Sequence, residues 1–450
     1  MKDFTLAEIA KACNGEYVGD ESLKNTKITS VERDSRQVNN GSLFLAIKGE
    51  RVDGHDFIEK CFAQGAVCAL CEKAPENATK PCIVVSSTLD AVKKIGRAYR
   101  EKFDIPVIGI SGSVGKTSTK EMLYAVLSQK FKTHKTQGNL NNELGVPLTL
   151  LSMPEDTEAA VIEMGISDFG EMTRLSEMVQ PTICVLTIIG ECHLENLGDR
   201  DGVLKAKTEM FKNARENADF ILNGDDDKLS TVKTVNGKKP VFFGLDAKND
   251  FYAKNIKNSG DSKVLATLCF DNNNIDVEIP AIGTYMVTNA LAAAAAGKLL
   301  GLTDEEIANG VASYKTVGSR ANVINTGKIK IIDDCYNANP TSVRASLDTL
   351  SNLDGRKVAI LGDMKELGSE ELKLHFDTGV YAKSKDIGTV ITVGELAKEL
   401  AKGADGKAFD TIEDAKPEIL KTIKSGDVVL VKASHSMQFE NIVEFLKQNF

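Results

Sequence analysis

Short apolar runs bounded by glycine or polar residues alternate with stretches of helical spacing along most of this chain, the pattern of strands covered on both faces by helices. In residues 1–104 the Thr5-capped stretch 5–13 predicts a helix, 28–38 and 42–47 predict strands, and 57–63 and 86–103 predict further helices. From 105 to 317, the runs 107–110, 159–163, 183–188, 220–222 and 241–243 predict a largely parallel sheet, with a helix through Glu121 following the first strand. Residues 251–282 change texture and predict an antiparallel meander. An alanine-rich helix over 288–300 follows, with polar Asn289 near its start. Beyond 318, the runs 328–334, 357–363, 389–394 and 427–432 each end in a polar or glycine loop and predict a second doubly wound sheet. The fold class is therefore α/β in three units, 1–104, 105–317 and 318–450, which suits a length of 450 residues.

Composition narrows the function without naming it. A net charge of −9, with basic residues scattered through helical stretches, offers no nucleic-acid or lipid surface. Charged residues stand where a signal peptide needs its apolar core, and no apolar run could span a bilayer, so the expected compartment is the cytoplasm. Nine cysteines spread over a long chain do not form a disulfide framework. Cys68 and Cys71 lie inside an apolar run and read as a buried, reduced strand rather than a metal site.

Chemistry concentrates at one junction. Gly112-Ser113-Val114-Gly115-Lys116-Thr117-Ser118 falls between the strand 107–110 and the helix that follows. Glycines there turn backbone N–H groups inward, and the helix N-terminus adds its positive dipole end, which suits a phosphate. Lys116 then reaches the β- and γ-phosphates and Thr117 holds Mg²⁺ through its hydroxyl. Ile110 occupies the first glycine position of the full P-loop pattern, so the motif is the shorter one. Glu163 ends one strand and His193 follows another, placing an oxygen and an imidazole ligand where a Mg²⁺-nucleotide site could use them. A lone histidine is also a common structural residue. Polar residues in 31–38 and 49–57 could hold a nucleotide-sized ligand or simply build hairpins.

Asp34-Ser-Arg, Gly41-Ser-Leu-Phe-Leu-Ala-Ile, Gly112-Ser-Val-Gly-Lys-Thr, Thr136-Gln-Gly-Asn-Leu-Asn-Asn-Glu, Glu163-Met-Gly, His193-Leu-Glu, Lys205-Ala-Lys-Thr-Glu-Met-Phe, Asp334-Cys-Tyr-Asn-Ala-Asn-Pro and Leu361-Gly-Asp-Met-Lys-Glu-Leu-Gly occur in this order. Together they resemble the Mur ligases, the ATP-dependent amide ligases of peptidoglycan precursor synthesis. The resemblance implies the three-domain Mur ligase architecture: an N-terminal domain binding a UDP-linked substrate, a central P-loop domain with a parallel sheet, and a C-terminal Rossmann-like domain that binds the amine and closes over ATP. It implies ATP and Mg²⁺ as cofactors and an acyl phosphate as intermediate. Tyr336-Asn-Ala-Asn-Pro is similar to the branch that adds D-alanyl-D-alanine to UDP-N-acetylmuramoyl-tripeptide. The chain is expected to act as a monomer.

Residue roles follow from the same resemblance. Lys116, Lys207, His193 and Glu163 are the implied catalytic set, with Thr117, Glu163, His193 and a CO₂-modified Lys207 around the metal. The loop 112–118, Asn289, Arg320 and Asp334 are implied for the nucleotide, Thr136, Asn139, Asn142, Tyr336 and Asn337 for the substrates, and Ser35 for the uridine diphosphate. Read from the residues alone, Lys207 is a solvated helix lysine. Departures from the family pattern are Met286 in place of an asparagine, the spacing Gly318-Ser-Arg320, and His435 in place of an arginine. Alternatives are another Mur ligase step, a folylpolyglutamate synthase-like ligase and, in other classes, a P-loop kinase or a nucleotide-binding module without catalysis.

Overall fold

The computed structural model describes residues 1–49, 51–260, 262–271 and 273–450. Glu50 of the polar segment 49–57, and Asp261 and Asn272 of the expected meander, lie outside the described residues. The α/β reading holds, with three mixed or parallel sheets and one small antiparallel sheet.

The first sheet has the order Glu16–Val18, Cys82–Val84, Cys68–Cys71, Ser42–Leu45, Ser30–Glu32, parallel except at its first pair. Thr5 and Glu8 form a reciprocal capping box at the start of helix Leu6–Cys13, which satisfies the N–H groups left open there. The strand expected over 28–38 stops at Glu32. Asp34 accounts for this: its Oδ1 accepts from the Arg36 N–H at 2.9 Å and its carbonyl from the Gln37 N–H at 2.9 Å, turning the backbone out of the ladder. Cys68–Cys71 is a fully buried strand and all nine cysteines are free.

The central sheet is wholly parallel, in the order Val241–Phe243, Asp219–Asn223, Ile183–Leu186, Val107–Ser111, Ala159–Glu163, Thr133–Lys135. Strand order reverses beside Val107–Ser111, so the crevice of the doubly wound sheet opens at the end of that strand. Helix Tyr285–Leu299 begins three residues before the expected start and packs on helix Lys116–Leu127. Its alanines 292–296 are completely buried, which brings the two backbones close. The meander is present as Tyr252–Ser259, Lys263–Phe270 and Asn273–Ile279.

The third sheet runs Asn322–Asn325, Lys330–Asp333, Asp427–Lys432, Arg356–Gly362, Thr389–Val393, Lys407–Phe409, antiparallel only at its first pair. Five strands the pattern does not predict are Glu16–Val18, Cys82–Val84, Thr133–Lys135, Asn322–Asn325 and Lys407–Phe409; all but Cys82–Val84 are edges, and that interior strand is only three residues long. An edge strand has little apolar surface to bury, so its sequence lacks the apolar run that marks a central one. Among the described residues no helix is long and apolar enough to cross a membrane.

Candidate functional site

Val107–Ser111 delivers the chain into the turn 112–115, and helix Lys116–Leu127 starts at once. Gly115 is the helix cap, at φ 85°, and provides no side-chain oxygen, so the first-turn amides are left for an anion. Gly112 lies beneath the loop at φ 151°, and a Cβ there would stand 1.9 Å from Thr187 Oγ1. That hydroxyl cannot swing away freely, because it donates to the Val114 carbonyl at 2.6 Å. Gly112→Ala is therefore expected to cost about 1–3 kcal/mol and to abolish stabilisation by ATP, checked by thermal melts with and without nucleotide. Lys116 Nζ donates to the Gly112 carbonyl at 2.8 Å, which holds the ammonium over the loop. The Gly190 N–H donates to Ser113 Oγ at 2.9 Å, and the Cys192 thiol lies 3.0 Å from the same oxygen.

Glu163 is the centre of a buried network. Thr117 Oγ1 donates to its Oε1 at 3.1 Å and Asn141 Nδ2 to the same oxygen at 2.8 Å, while its backbone N–H donates to Thr136 Oγ1 at 2.9 Å. Lys120 Nζ lies 3.6 Å from Glu163 Oε2 and 3.2 Å from Glu121 Oε1, and Lys135 pairs with Glu121 from the other side. Glu163 Oε2 is buried without a hydrogen-bond partner among the described residues. A hard oxygen with no hydrogen bond, beside a hydroxyl and a phosphate-type loop, fits Mg²⁺, which needs only one or two protein carboxylates when phosphates and water complete its shell. Among the described residues no three metal-ligating side chains of the histidine, cysteine and carboxylate kind cluster, so this site would depend on the nucleotide for the rest.

His193 adopts a left-handed backbone, φ 52°, and sets its Nδ1 2.6 Å from Glu366 Oε2 of the third unit. The imidazole holds the Glu366 carboxyl below its ordinary range. Lys207, on helix Arg200–Thr208, is 1% exposed, which corrects the reading of a solvated lysine. No hydrogen bond or ion pair reaches its amine among the described residues. Burial brings that amine down to about 8, with Cys192 opposing and Lys116 adding to the fall. About a tenth of the amine is then neutral at pH 7 and about half at pH 8, against well under a hundredth for a solvated lysine at either pH.

All of this faces, or underlies, one cavity of about 810 Å³ with walls from all three units. The first contributes Leu89 and Lys93. The second contributes Ser113, Val114, Gly115, Lys116, Thr117 and Ser118, with Asn142, Glu163, His193, Tyr285 and Asn289. Arg320, Asp334, Tyr336, Asn337 and Lys432 come from the third. Five residues singled out in the sequence are not on the wall. Gly112 underlies the loop, Thr136 is fully buried behind Glu163, Lys207 is buried behind the wall, Asn139 is exposed, and Ser35 lies in the turn after strand Ser30–Glu32.

The third unit presents an ordered face. Arg320 stacks its guanidinium 3.5 Å over the Tyr336 ring, and His435 extends the stack with its ring 5.7 Å beyond. Both Asp334 oxygens are engaged, one by the Ala321 N–H at 3.0 Å, the other by Ser346 Oγ at 2.6 Å and Lys432 Nζ at 2.7 Å. Asn289 is likewise tied: its Oδ1 accepts from Thr119 Oγ1 at 2.9 Å, and its Nδ2 points at the sulfur of Met286, 3.4 Å away. Asn141, Lys120, Lys432 and Glu366 are not among the residues the sequence singles out. A signal existed for Lys432, a lysine closing the otherwise apolar strand Asp427–Lys432 at its carboxyl end.

Three family models match in succession: "Mur ligase family, catalytic domain" over residues 27–111, "Mur ligase middle domain" over 110–297, and "Mur ligase, glutamate ligase domain" over 319–435. The UDP-N-acetylmuramoyl-tripeptide–D-alanyl-D-alanine ligase of Bacillus subtilis is 36% identical, with 98% of each chain covered. A crystal structure of MurF from Acinetobacter baumannii superposes with a TM-score of 0.92 at 32% identity, covering 100% of this chain and 99% of that one. MurF from Thermotoga maritima in complex with ADP gives a TM-score of 0.84 at 30% identity, covering 93% of this chain and 97% of that one. With its glycine loop, buried carboxylate and three-walled cleft, the chain belongs to the Mur ligase family.

Proposed function

We propose that the chain joins D-alanyl-D-alanine to UDP-N-acetylmuramoyl-tripeptide in peptidoglycan precursor synthesis, driven by ATP through an acyl phosphate. The observation that carries this reading is the convergence of an open helix N-terminus and a buried carboxylate with one oxygen free of hydrogen bonds among the described residues on a cleft walled by all three units, with a buried amine behind that wall. In our division, residues 1–104 bind the UDP moiety with Ser35 beside it, 105–317 bind ATP, and 318–450 bind the dipeptide and close over the nucleotide. The protein works in the cytoplasm as a monomer.

A free carboxylate is a poor acceptor for an amine at neutral pH, so it must first gain a leaving group. The tripeptide carboxylate attacks the γ-phosphorus and ADP departs. The dipeptide amine then adds to the acyl carbon, and phosphate leaves from the tetrahedral adduct. Loop amides and Lys116 hold the phosphates in line, which is most of what phosphoryl transfer requires. Asn289 and Arg320 flank the nucleotide, and Asp334 fixes the segment that carries Tyr336 and Asn337. Asn142 borders the acceptor, while Thr136 and Asn139 shape the loop that brings Asn142 and Asn141 into the cleft. Lys207, as a neutral amine, takes up CO₂ and gives up a proton, turning an awkward cation into a carbamate anion. Thr117, Glu163, His193 and the Lys207 carbamate would hold Mg²⁺, which supplies charge neutralisation for the phosphate oxygens.

The test is an ADP-release assay. Turnover is expected only when UDP-N-acetylmuramoyl-tripeptide and D-alanyl-D-alanine are both present, and hydroxylamine in place of the dipeptide should yield a hydroxamate. Turnover with glutamate or a diamino acid alone would move the chain to a folate polyglutamate ligase or another Mur step. A stable phosphate ester with no hydroxamate would make it a kinase.

A further inference from the structure

We infer that Lys93 is a specificity-determining residue: it reads a carboxylate on the side chain of the tripeptide's last residue, so the acceptor ends in a diamino diacid of the diaminopimelate kind rather than in lysine. The inference rests on the ligase reading above and names its acceptor more closely. In that reading the acid phosphorylated is the tripeptide's own terminal carboxylate, which lies beside Thr117 and Glu163 in the cleft. The last residue's side chain branches from the next carbon, so it samples the wall next to them. Segment 141–144 is part of that wall, with Leu89 and Lys93 of the first unit against it. Asn141 is bonded to Glu163 at 2.8 Å, and Glu143, two residues on, has its Cα at most about 7.6 Å from that of Asn141.

Leu89 and Lys93 are four residues apart on helix Thr88–Arg100 and so share one face. Leu89 is 44% exposed, an apolar surface for the methylenes of a long side chain, and Lys93 stands one turn beyond it. The charges there match a zwitterion. Lys93 Nζ lies 3.3 Å from Glu143 Oε1 and 3.4 Å from Asp90 Oδ1, both longer than the roughly 2.7–2.9 Å of a charge-assisted hydrogen bond. Glu143 is held instead by Arg174, whose Nε and Nη2 both donate to it. Lys93 is therefore a loosely held cation on the cleft wall. A diaminopimelate side chain ends in an ammonium and a carboxylate on one carbon, and it sets the carboxylate on Lys93 and the ammonium toward Glu143. A lysine side chain brings an ammonium alone, which meets a like charge at Lys93.

The experiment gives the full-length protein two UDP-N-acetylmuramoyl-tripeptides, one ending in diaminopimelate and one in lysine, and reads binding by calorimetry and turnover with ATP and D-alanyl-D-alanine. We expect the wild type to favour the diaminopimelate form by about ten- to a hundredfold in both Kd and kcat/KM. Lys93→Arg should keep that preference, Lys93→Met should bring the two forms within about threefold by loss on the diaminopimelate side, and Lys93→Glu should invert it. The Lys93 and Glu143 side chains are 25% and 29% exposed, so the wild-type preference should also shrink as salt rises, which a merely structural lysine would not cause. A wild type that binds both forms equally, or favours lysine, overturns the inference. So does an equal loss on both forms in Lys93→Met, which would place Lys93 on a group that the two share. If the preference appears in binding while no amide forms, the ligase reading fails and the assignment of Lys93 stands; turnover without preference does the reverse. Failure of both forms to bind overturns both.

Discussion

Lys207→Met is expected to remove ligase activity by about a hundred- to a thousandfold while making the protein more stable. The two effects share one cause. An ammonium with no hydrogen-bond or ion-pair partner among the described residues is held in a fully buried position, and its fall from 10.5 to about 8 corresponds to about 3 kcal/mol withheld from folding. An unbranched thioether of similar length removes that penalty, so we expect about 1–3 kcal/mol of added stability in CO₂-free buffer at pH 7. The sign with pH is fixed by linkage. Between about 8 and 10.5 the unfolded lysine binds a proton and the folded one does not, so wild-type stability rises with pH across that window. The advantage of Lys207→Met should therefore shrink as pH climbs through it, measured by urea unfolding at several pH values. Short carboxylates should restore part of the activity by standing in for the carbamate. A variant with wild-type turnover would take Lys207 out of the chemistry.

Glu163→Gln should lower kcat/KM by at least about a hundredfold and raise half-saturating Mg²⁺ at least about tenfold. The amide keeps one acceptor for Thr117 and Asn141 but puts either a donor or a neutral oxygen where the anionic Oε2 now stands without a hydrogen bond among the described residues. It also removes one of the two carboxylates flanking buried Lys120. Stranding a buried charge entirely costs about 3–5 kcal/mol, but Glu121 remains 3.2 Å away, so we expect about 1–2 kcal/mol, read from denaturant unfolding. A loss of stability with unchanged Mg²⁺ dependence would make Glu163 structural.

Much of the fold was written in the apolar pattern, and most departures have a local physical reason. Strands buried on both faces, such as Ala159–Glu163, announce themselves, whereas Thr133–Lys135, half-buried at an edge, does not. The strand expected through 28–38 failed because one Asx side chain, Asp34, outcompetes the ladder locally. At the site, the glycine loop was legible because its chemistry is contiguous. Lys207 was not: from spacing alone it read as solvent-facing, and only the family resemblance gave it a role. Its burial comes from the packing of helix Arg200–Thr208 against the rest of the central unit, which no local window contains. Lys120, Asn141 and Glu366 escaped for the same reason, their partners lying 43, 22 and 173 positions away in Glu163, Glu163 and His193.

The central claim, that an acid is activated by phosphorylation in this cleft before an amine captures it, is tested most directly by following oxygen. UDP-N-acetylmuramoyl-tripeptide carrying heavy oxygen in both terminal carboxylate positions is turned over with ATP and D-alanyl-D-alanine, and the inorganic phosphate is examined by phosphorus NMR. One heavy oxygen in phosphate for each amide bond formed is the result we expect. Phosphate free of label while the amide forms would contradict it.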